Sequence, residues 1–213
     1  MPAVSSNDAL TDVLGALRLR GGVFIEAEIA APWCVFSQVG PEDCVEFSPL
    51  PRGVIAYHYV CEGDMALRVE GETDAMALRA GDLVILPRNQ RHRVGSDLNV
   101  PPMPVEMLEH RPGGEGVLRL THAGQGSATR FFCGFLGHDH PDDPLIQALP
   151  QAMRLTLADA ASAQWMESSL RFAARPGGAV HGDLDADPLT LVHRIGKGAI
   201  GQTVNHPGHG VLG

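Results

Sequence analysis

The chain is short of basic residues. Its 213 residues include 16 Lys and Arg against 25 Asp and Glu, which gives a formal net charge of −9 at pH 7. Proteins that bind nucleic acid rely on clustered positive charge to neutralise phosphates. The densest basic cluster is Arg88, Arg91 and Arg93, and a solvated loop explains it better than a phosphate site. We therefore expect no direct DNA binding by this chain alone.

Long apolar runs and a leader pattern are also missing. No run of about 18 apolar residues could span a bilayer, and residues 1–12 lack the basic region and apolar core of a signal peptide. The four cysteines, Cys34, Cys44, Cys61 and Cys133, form no Cys-x-x-Cys pair, which excludes zinc-ribbon and thioredoxin spacings. We expect a cytoplasmic protein with reduced thiols and no membrane association.

Familiar catalytic motifs are missing as well. The chain has no Gly-x-Ser-x-Gly, no His-Glu-x-x-His, no phosphate-binding loop and no dinucleotide fingerprint. It does have 25 Gly and 16 Pro, which is above the usual share and favours turns and short strands over long helices.

Short strands separated by turns fill the region from about residue 22 to residue 136. Alternating apolar residues over 23–29 predict a half-buried strand. Further strands are predicted at 33–39, 54–60, 65–69, 76–78, 83–86, 117–122 and 128–135. Loops are predicted at 99–104 and 111–116, which are rich in Pro and Gly. Short strands with turns and no intervening helices indicate a mainly β sandwich or barrel.

Helical patterns flank this barrel. Apolar residues at i, i+3, i+4 and i+7 from Leu10 to Leu17 predict a short N-terminal helix. Two C-terminal helices are predicted at 145–149 and 157–174, after a polar turn at 138–144. We expect one domain over 1–175, with the barrel at about 22–136 and the helices at about 145–174. The Gly- and Pro-rich segment 176–213 is predicted to be a weakly structured tail.

The most specific pattern runs from Gly81 to His92. It reads Gly81, five residues, Pro87, one residue, Asn89, two residues and His92. Gly81 begins a turn, Pro87 ends the hydrogen-bonding ladder of a buried strand, and Asn89 tolerates a left-handed backbone. This spacing resembles the second motif of the cupin family, and residues 57–63 resemble the end of the first. The resemblance implies a jelly-roll barrel, also called a double-stranded β-helix.

The sequence departs from the cupin pattern where cupin enzymes hold a metal. Counting back from Gly63, Ala56 stands at the position of the ligand Glu, and residues 50–52, Leu-Pro-Arg, stand where two ligand histidines are found. None of these side chains is a carboxylate or an imidazole. Three of the four usual ligands are therefore missing, which argues against a standard metal-dependent cupin dioxygenase or isomerase.

Two histidines remain as candidates for the barrel interior. Strand alternation puts Ala56, His58 and Val60 on one face, and His92 is expected to point inward as well. We expect a small molecule to bind near His58, His92, Tyr57 and Val60.

A metal is the alternative use of the same histidines. His58 and His92 could hold a divalent metal such as zinc if Cys133 or Cys34 supplied a third ligand. Otherwise the two histidines are hydrogen-bonded to each other or line a ligand pocket.

A second group of polar residues lies at 138–143, where His138, Asp139 and His140 precede Asp142 and Asp143. It could bind a cation, but it suits a polar loop before a helix better, since acidic residues are favoured near a helix start.

Over residues 8–175 the chain resembles one group of cupins, the N-terminal ligand-binding domains of AraC-type bacterial transcription regulators. The matching stretches are 8–14, 17–21, 31–33, 57–60, 80–87, 91–92, 132–134 and 144–150. The resemblance implies a non-catalytic, effector-sensing barrel that forms homodimers through its C-terminal helices and is joined to a helix-turn-helix DNA-binding domain.

That DNA-binding domain is not expected here, because residues 176–213 are too few to form it. A truncated regulator gene and an independent sensor both remain open. Two further alternatives are a metal-dependent cupin enzyme with a rearranged His and Cys site, and an interaction module that uses the helices predicted within 145–174.

Overall fold

The computed structural model describes residues 20–44, 49–112, 118–157 and 159–173. Strands dominate these residues, as the short alternating segments predict. They are β1 (Arg20–Ala30), β2 (Cys34–Ser37), β3 (Gly53–Glu62), β4 (Asp64–Val69), β5 (Met76–Arg79), β6 (Asp82–Leu86), β7 (His92–Gly95), β8 (Glu109–Pro112), β9 (Leu118–His122), β10 (Ala128–His138) and β11 (Met153–Thr156). Two α-helices, α1 (Pro144–Ala148) and α2 (Ala160–Ala173), and two 3-10 turns, Pro41–Cys44 and Val105–Met107, complete the described elements.

The strands form two sheets. Seven strands pair in the order β11-β6-β3-β10-β1-β9-β8, and four pair in the order β2-β7-β4-β5. Among the described strands, every pairing is antiparallel except that of β1 with β9, which is parallel. The inward residues of both sheets share one apolar core, in which Ala27 and Phe131 of the larger sheet meet Leu67 and Val94 of the smaller one. The expected mainly β jelly roll is confirmed.

Strand β10 separates two environments. Phe131 faces the shared core and stacks on Trp33, with ring centroids 5.4 Å apart. Its neighbour Phe132 points to the opposite face, where it packs with Tyr59 beneath helix α2. The two-residue period of a strand thus directs alternate side chains into the barrel interior and onto the outer surface on which α2 packs.

Helix α2 is fastened to this outer face by charged groups. Glu167 accepts hydrogen bonds from Arg130 of β10, at 3.0 Å, and from Arg171 one turn later in the helix. Arg171 also pairs with Glu26 of β1. The hydroxyl of Tyr59 donates to the backbone carbonyl of Ala163 in the helix. Strands β1, β3 and β10 therefore all contact α2.

Several boundaries differ from the sequence predictions. Strand β11 has no counterpart in the sequence prediction. Its residues Met-Arg-Leu-Thr alternate apolar and polar, but the segment has only four residues, and Arg154, Leu155 and Thr156 are exposed. Helix α2 begins at Ala160 rather than at residue 157, since Leu157 donates its backbone N–H to Gly81 and continues the sheet contact. Asp159 then accepts the N–H of Ser162 as a helix cap.

Two loop predictions are also corrected. Residues 111–112 belong to strand β8 rather than to a loop. The predicted polar turn at 138–144 starts one residue too early, because His138 is the last residue of β10 and is buried. The predicted N-terminal helix at 10–17 and the tail at 176–213 lie outside the described residues.

The three clustered arginines are not a freely solvated loop either. Arg88 donates to the last carbonyls of α1, Arg91 pairs with Glu70, and Arg93 lies in β7 over the ring of Phe36. No helix in the described part of the chain is long and apolar enough to cross a bilayer.

Candidate functional site

The turn between β6 and β7 adopts the conformation that its sequence predicts. Gly81 has a φ of 87° and Asn89 a φ of 51°, so both occupy the left-handed region that these residue types tolerate. The side chain of Asn89 accepts from the N–H of Val39 and donates to its carbonyl, at 3.0 and 2.7 Å. This fixes the turn against the segment after β2, and β7 starts with His92 facing inward.

Three side chains meet at the centre of the barrel. His58 of β3 lies opposite Cys133 of β10 in the larger sheet, and His92 reaches the same point from β7 of the smaller sheet. His58 is 2% exposed and His92 is fully buried. The two histidines therefore link the sheets across the core.

These groups form an ordered chain of hydrogen bonds. The Nδ1 atom of His92 lies 2.7 Å from the carbonyl oxygen of Gln90, and a carbonyl only accepts, so Nδ1 carries the proton. In a neutral ring, His92 Nε2 is then the acceptor for His58 Nε2–H, at 2.7 Å. His58 Nδ1 in turn accepts from the thiol of Cys133, at 2.9 Å. One carbonyl thus sets the direction of every bond.

Burial keeps all members of this chain neutral. Desolvation lowers the pKa of His58 well below its ordinary value, and the neighbouring His92 lowers it further. Desolvation also lowers the pKa of His92 to about 4, against the opposing effect of its hydrogen bond to Gln90. The same cause raises the pKa of the Cys133 thiol. Neutral groups need no counter-ion in a low-dielectric core.

Two adjoining cavities of ≈60 Å³ each lie beside this chain. His58 and Cys133 line both of them, and Ala56 and Phe135 line one. Ser37 and Gln38 also line both cavities, and Asp43 lines the one that Ala56 lines, so the walls combine apolar side chains with several polar ones. Sequence reasoning missed three lining residues, Ile25 of β1, Ser37 of β2 and Gln38 just after β2. A single sequence does not show which residues of distant strands lie opposite each other.

The remaining predicted ligand-binding residues lie elsewhere. Tyr57 does not line either cavity. Strand alternation turns it to the outer face, where it packs with Tyr59 and Phe132, because β3 alternates strictly and His58 takes the inward position. Val60 points inward but is fully buried in the packed core. Of the four predicted residues, only His58 lines the cavities. His92 does not line them but contacts the Nε2 atom of His58.

The predicted metal ligands are neighbours but do not converge on one point. Cys133 contacts the Nδ1 atom of His58, whereas His92 contacts its Nε2 atom on the other side of the ring. Zinc–nitrogen bonds of about 2.0–2.1 Å in a tetrahedral site would hold the two Nε2 atoms more than ~3 Å apart, and they lie 2.7 Å apart. These side chains, as arranged, do not fit a shared metal ion. Cys34, the other predicted third ligand, is buried and is absent from both cavity walls.

The acidic segment 138–143 is also not gathered around a cation. Asp143 caps helix α1 by accepting the N–H of Leu145, as the sequence predicts for a carboxylate before a helix, while His138 turns into the structure. Across the described ranges, no three His, Cys, Asp or Glu side chains are grouped as a metal site.

Comparisons with known proteins bear on this fold. A cupin family model matches residues 8–180, nearly the same range as the resemblance seen in the sequence. No curated protein matches the chain. Solved structures that resemble it include an apo ToxT variant from Vibrio cholerae (8% identity, TM-score 0.39, 83% of this chain and 53% of that one), the protein YhaK from Escherichia coli (9%, 0.38, 68% and 46%) and ectoine synthase from P. lautus (13%, 0.28, 62% and 65%).

These likenesses have low identities and TM-scores below 0.5, so they carry no argument about function. The chain spans about half the length of the first two structures. The family match is different in kind, because it extends over most of the sequence. It also agrees with two opposed sheets, a left-handed Asn89 and an inward His92. The chain belongs to the cupin family.

Proposed function

We propose that this chain is a non-catalytic sensor of a small molecule, related to the ligand-binding domains of AraC-type regulators. The observation that carries the proposal is the closed, neutral hydrogen-bond chain through His58, His92 and Cys133. Its protons are all engaged and its pKa values are shifted away from neutrality. A general acid or base would need a pKa near the working pH, so the site favours recognition over proton transfer.

The two interior cavities supply the ligand site in this proposal. Each is ≈60 Å³, which suits a compound of a few heavy atoms. Apolar walls would take its body, while His58 and Cys133 would meet one polar group. A ligand that competes for the hydrogen bond between Cys133 and His58 would break the side-chain contact between strands β3 and β10.

The readout in this proposal is helix α2. Tyr59 and Phe132 lie next to His58 and Cys133 on the same strands, and they pack against α2. Arg130 of β10 forms an ion pair with Glu167 of the helix. A ligand that shifts β3 relative to β10 would move α2 as well. Its affinity would then differ between the conformation with α2 in its present position and the one with α2 displaced. Such a difference is what a population shift requires.

Self-association through the C-terminal helices is part of the same proposal. Trp165 of α2 is 66% exposed, and Leu145, Leu149 and Leu155 nearby in sequence are also exposed. In this proposal the exposed Trp165 of α2 lies at the centre of the dimer interface, since exposed apolar surface is typical of interaction sites. A homodimer should therefore be weakened by Trp165→Glu and retained by Trp165→Phe, which keeps an apolar ring at the same position, as measured by light scattering after gel filtration.

A cytoplasmic location is supported by the cysteines. All four are free thiols, and two are buried, which suits a reducing compartment.

A thermal-shift screen of a small-compound library tests the ligand site. Compounds that bind the folded barrel raise its Tm in proportion to RT ln(1 + [L]/Kd). Ala56→Val would fill the cavity wall beside His58 and should abolish the shift. Ala77→Val, at an exposed position of β5, is the matched control and should keep it. Hits that stabilise both variants equally would contradict binding inside the barrel.

A further inference from the structure

A much larger cavity lies outside the barrel interior. It is an open cleft of ≈390 Å³ between the start of β3, the end of β10, helix α1 and the segment after β2. Small-molecule sites usually fall between about 300 and 1,000 Å³. The cleft reaches that range, whereas the two interior cavities do not.

The side chains that line this cleft differ in charge from the chain as a whole, although Asp139 and Asp143 act electrostatically on His138 from outside the lining. Acidic residues outnumber basic ones by 25 to 16 in the sequence. Yet none of the described residues that line the cleft is Asp or Glu, and Arg52 and Arg88 both line it. The walls are otherwise largely apolar, with Leu50, Pro87 and Ile146 among them.

Arg88 lines the cleft and also stabilises the end of helix α1. Its Nη1 atom donates to the carbonyls of Ile146 and Leu149, at 2.9 and 2.8 Å, and so satisfies the C-terminal end of α1. The carbonyls carry only partial negative charge, so Arg88 keeps most of its positive charge.

The side chain of Arg52 makes no comparable contact with a helix end. It is exposed, and no carboxylate in the described ranges pairs with its side chain. Its backbone N–H donates to the carbonyl of His138, at 3.0 Å, which holds the two residues side by side at the ends of β3 and β10.

His138 also lines this cleft. The ring is 2% exposed, and its Nδ1 atom has no hydrogen-bond partner within the described part of the chain. Buried polar atoms are rarely left unpaired without a reason. Gly53 makes room for the ring, because a Cβ atom there would overlap His138 Cε1 and Nε2.

We propose that this cleft binds a small organic carboxylate, with the carboxylate between Arg52 and His138 and the apolar body against Leu50, Pro87 and Ile146. Guanidinium groups recognise carboxylates by charge-assisted hydrogen bonds. The site lies outside the barrel and goes beyond the sensing function proposed above. It can bind its ligand whether or not the interior cavities bind one.

Calorimetric titration with three matched compounds tests this proposal. Phenylacetate, phenylacetamide and phenethylammonium share an aromatic body and differ in charge. Wild-type protein should bind phenylacetate more tightly than the amide and should not bind the cation. Arg52→Gln should weaken phenylacetate binding about five- to tenfold, since the lost pair is charge-assisted but solvent-exposed, and should leave amide binding unchanged.

Two further variants locate the carboxylate. Gly53→Ala should also weaken phenylacetate binding by displacing His138, while Arg79→Gln, an exposed arginine of β5, should have no effect. Equal affinity for the acid and its amide would overturn the proposal, and so would undetectable binding of phenylacetate. Binding lost in Ala56→Val but kept in Arg52→Gln would move the ligand into the barrel and overturn it as well.

Discussion

The Nε2 atom of His58 lies 2.7 Å from the Nε2 atom of His92, and this bond joins the two sheets of the barrel. His58 comes from the larger sheet and His92 from the smaller one. In a core that is otherwise mainly apolar, each ring satisfies the other, and the carbonyl of Gln90 and the thiol of Cys133 close the chain at its ends. The pair therefore serves as a polar contact within the core and as the polar wall of the cavities.

A double-mutant cycle should show that the two histidines are coupled. His58→Leu leaves His92 Nε2 without a donor, and His92→Leu leaves His58 Nε2–H without an acceptor. Each single change should lower the free energy of unfolding by about 2–4 kcal/mol. The double variant should lose less than the sum, by at least ~1 kcal/mol, in urea titrations. Effects that add to within ~0.5 kcal/mol would indicate that the rings do not interact.

Stability should fall in acid because both histidines are neutral in the folded state. Their pKa values lie below the 6.5 of an unperturbed histidine, and that of His92 is about 4. The unfolded chain therefore binds more protons below pH 6.5, so this stability is complete above pH 6.5 and is lost as the pH falls toward 4.

The contribution of His92 to this loss is about 3 kcal/mol. Urea titrations across this pH range should show a clearly shallower fall for His92→Leu than for wild type. His122→Gln, on strand β9, is the control and should follow the wild-type curve. A wild-type free energy of unfolding that stays constant from pH 6.5 to 4 would contradict the neutral pair.

The thiol of Cys133 should react slowly although it lines a cavity. Burial raises its pKa, and the thiol rather than the thiolate donates to His58, so the reactive thiolate is scarce. In native protein at pH 8, iodoacetamide should label Cys133 at least about tenfold more slowly than in the urea-unfolded chain, measured by peptide mass spectrometry. Fast labelling of Cys133 would instead indicate a thiolate–imidazolium pair.

The sequence predicts the centre of the site better than its edges. The spacing from Gly81 to His92 predicts an inward histidine, and the alternation of β3 predicts that His58 joins it. Both follow from local rules, the turn chemistry of Gly and Asn and the period of a strand. The interior cavities and the cleft depend on side chains from several strands, whose registers a single sequence does not specify.

The strands that sequence reasoning missed carry only a short and weak local signal. Strand β11 carries exposed residues and forms because it pairs with β6, while β8 follows Pro-rich sequence and forms by pairing with β9. Tyr57 is predicted at the ligand site from its place beside His58. The structure packs it on the outer face with Tyr59 and Phe132, and its role in ligand binding stays a prediction.

Helix α2 should loosen when its ionic contacts to the barrel are removed. Glu167 accepts from both Arg130 and Arg171, and these arginines hold its pKa below the usual range against the effect of burial. Glu167→Gln should lower the free energy of unfolding by about 1 kcal/mol and speed amide hydrogen exchange over residues 160–173. The exposed Glu72→Gln is the matched control. Unchanged amide exchange over α2 would contradict the proposal that these ionic contacts couple the helix to the barrel.

The central claim is that His58, His92 and Cys133 form a neutral hydrogen-bond chain rather than a metal site. Titration of the purified protein with zinc at neutral pH, followed by calorimetry and compared with His92→Leu, tests it most directly. The predicted result is no stoichiometric binding that depends on His92. One equivalent of zinc bound by the wild type and lost in His92→Leu would contradict the claim and favour a rearranged metal-dependent cupin.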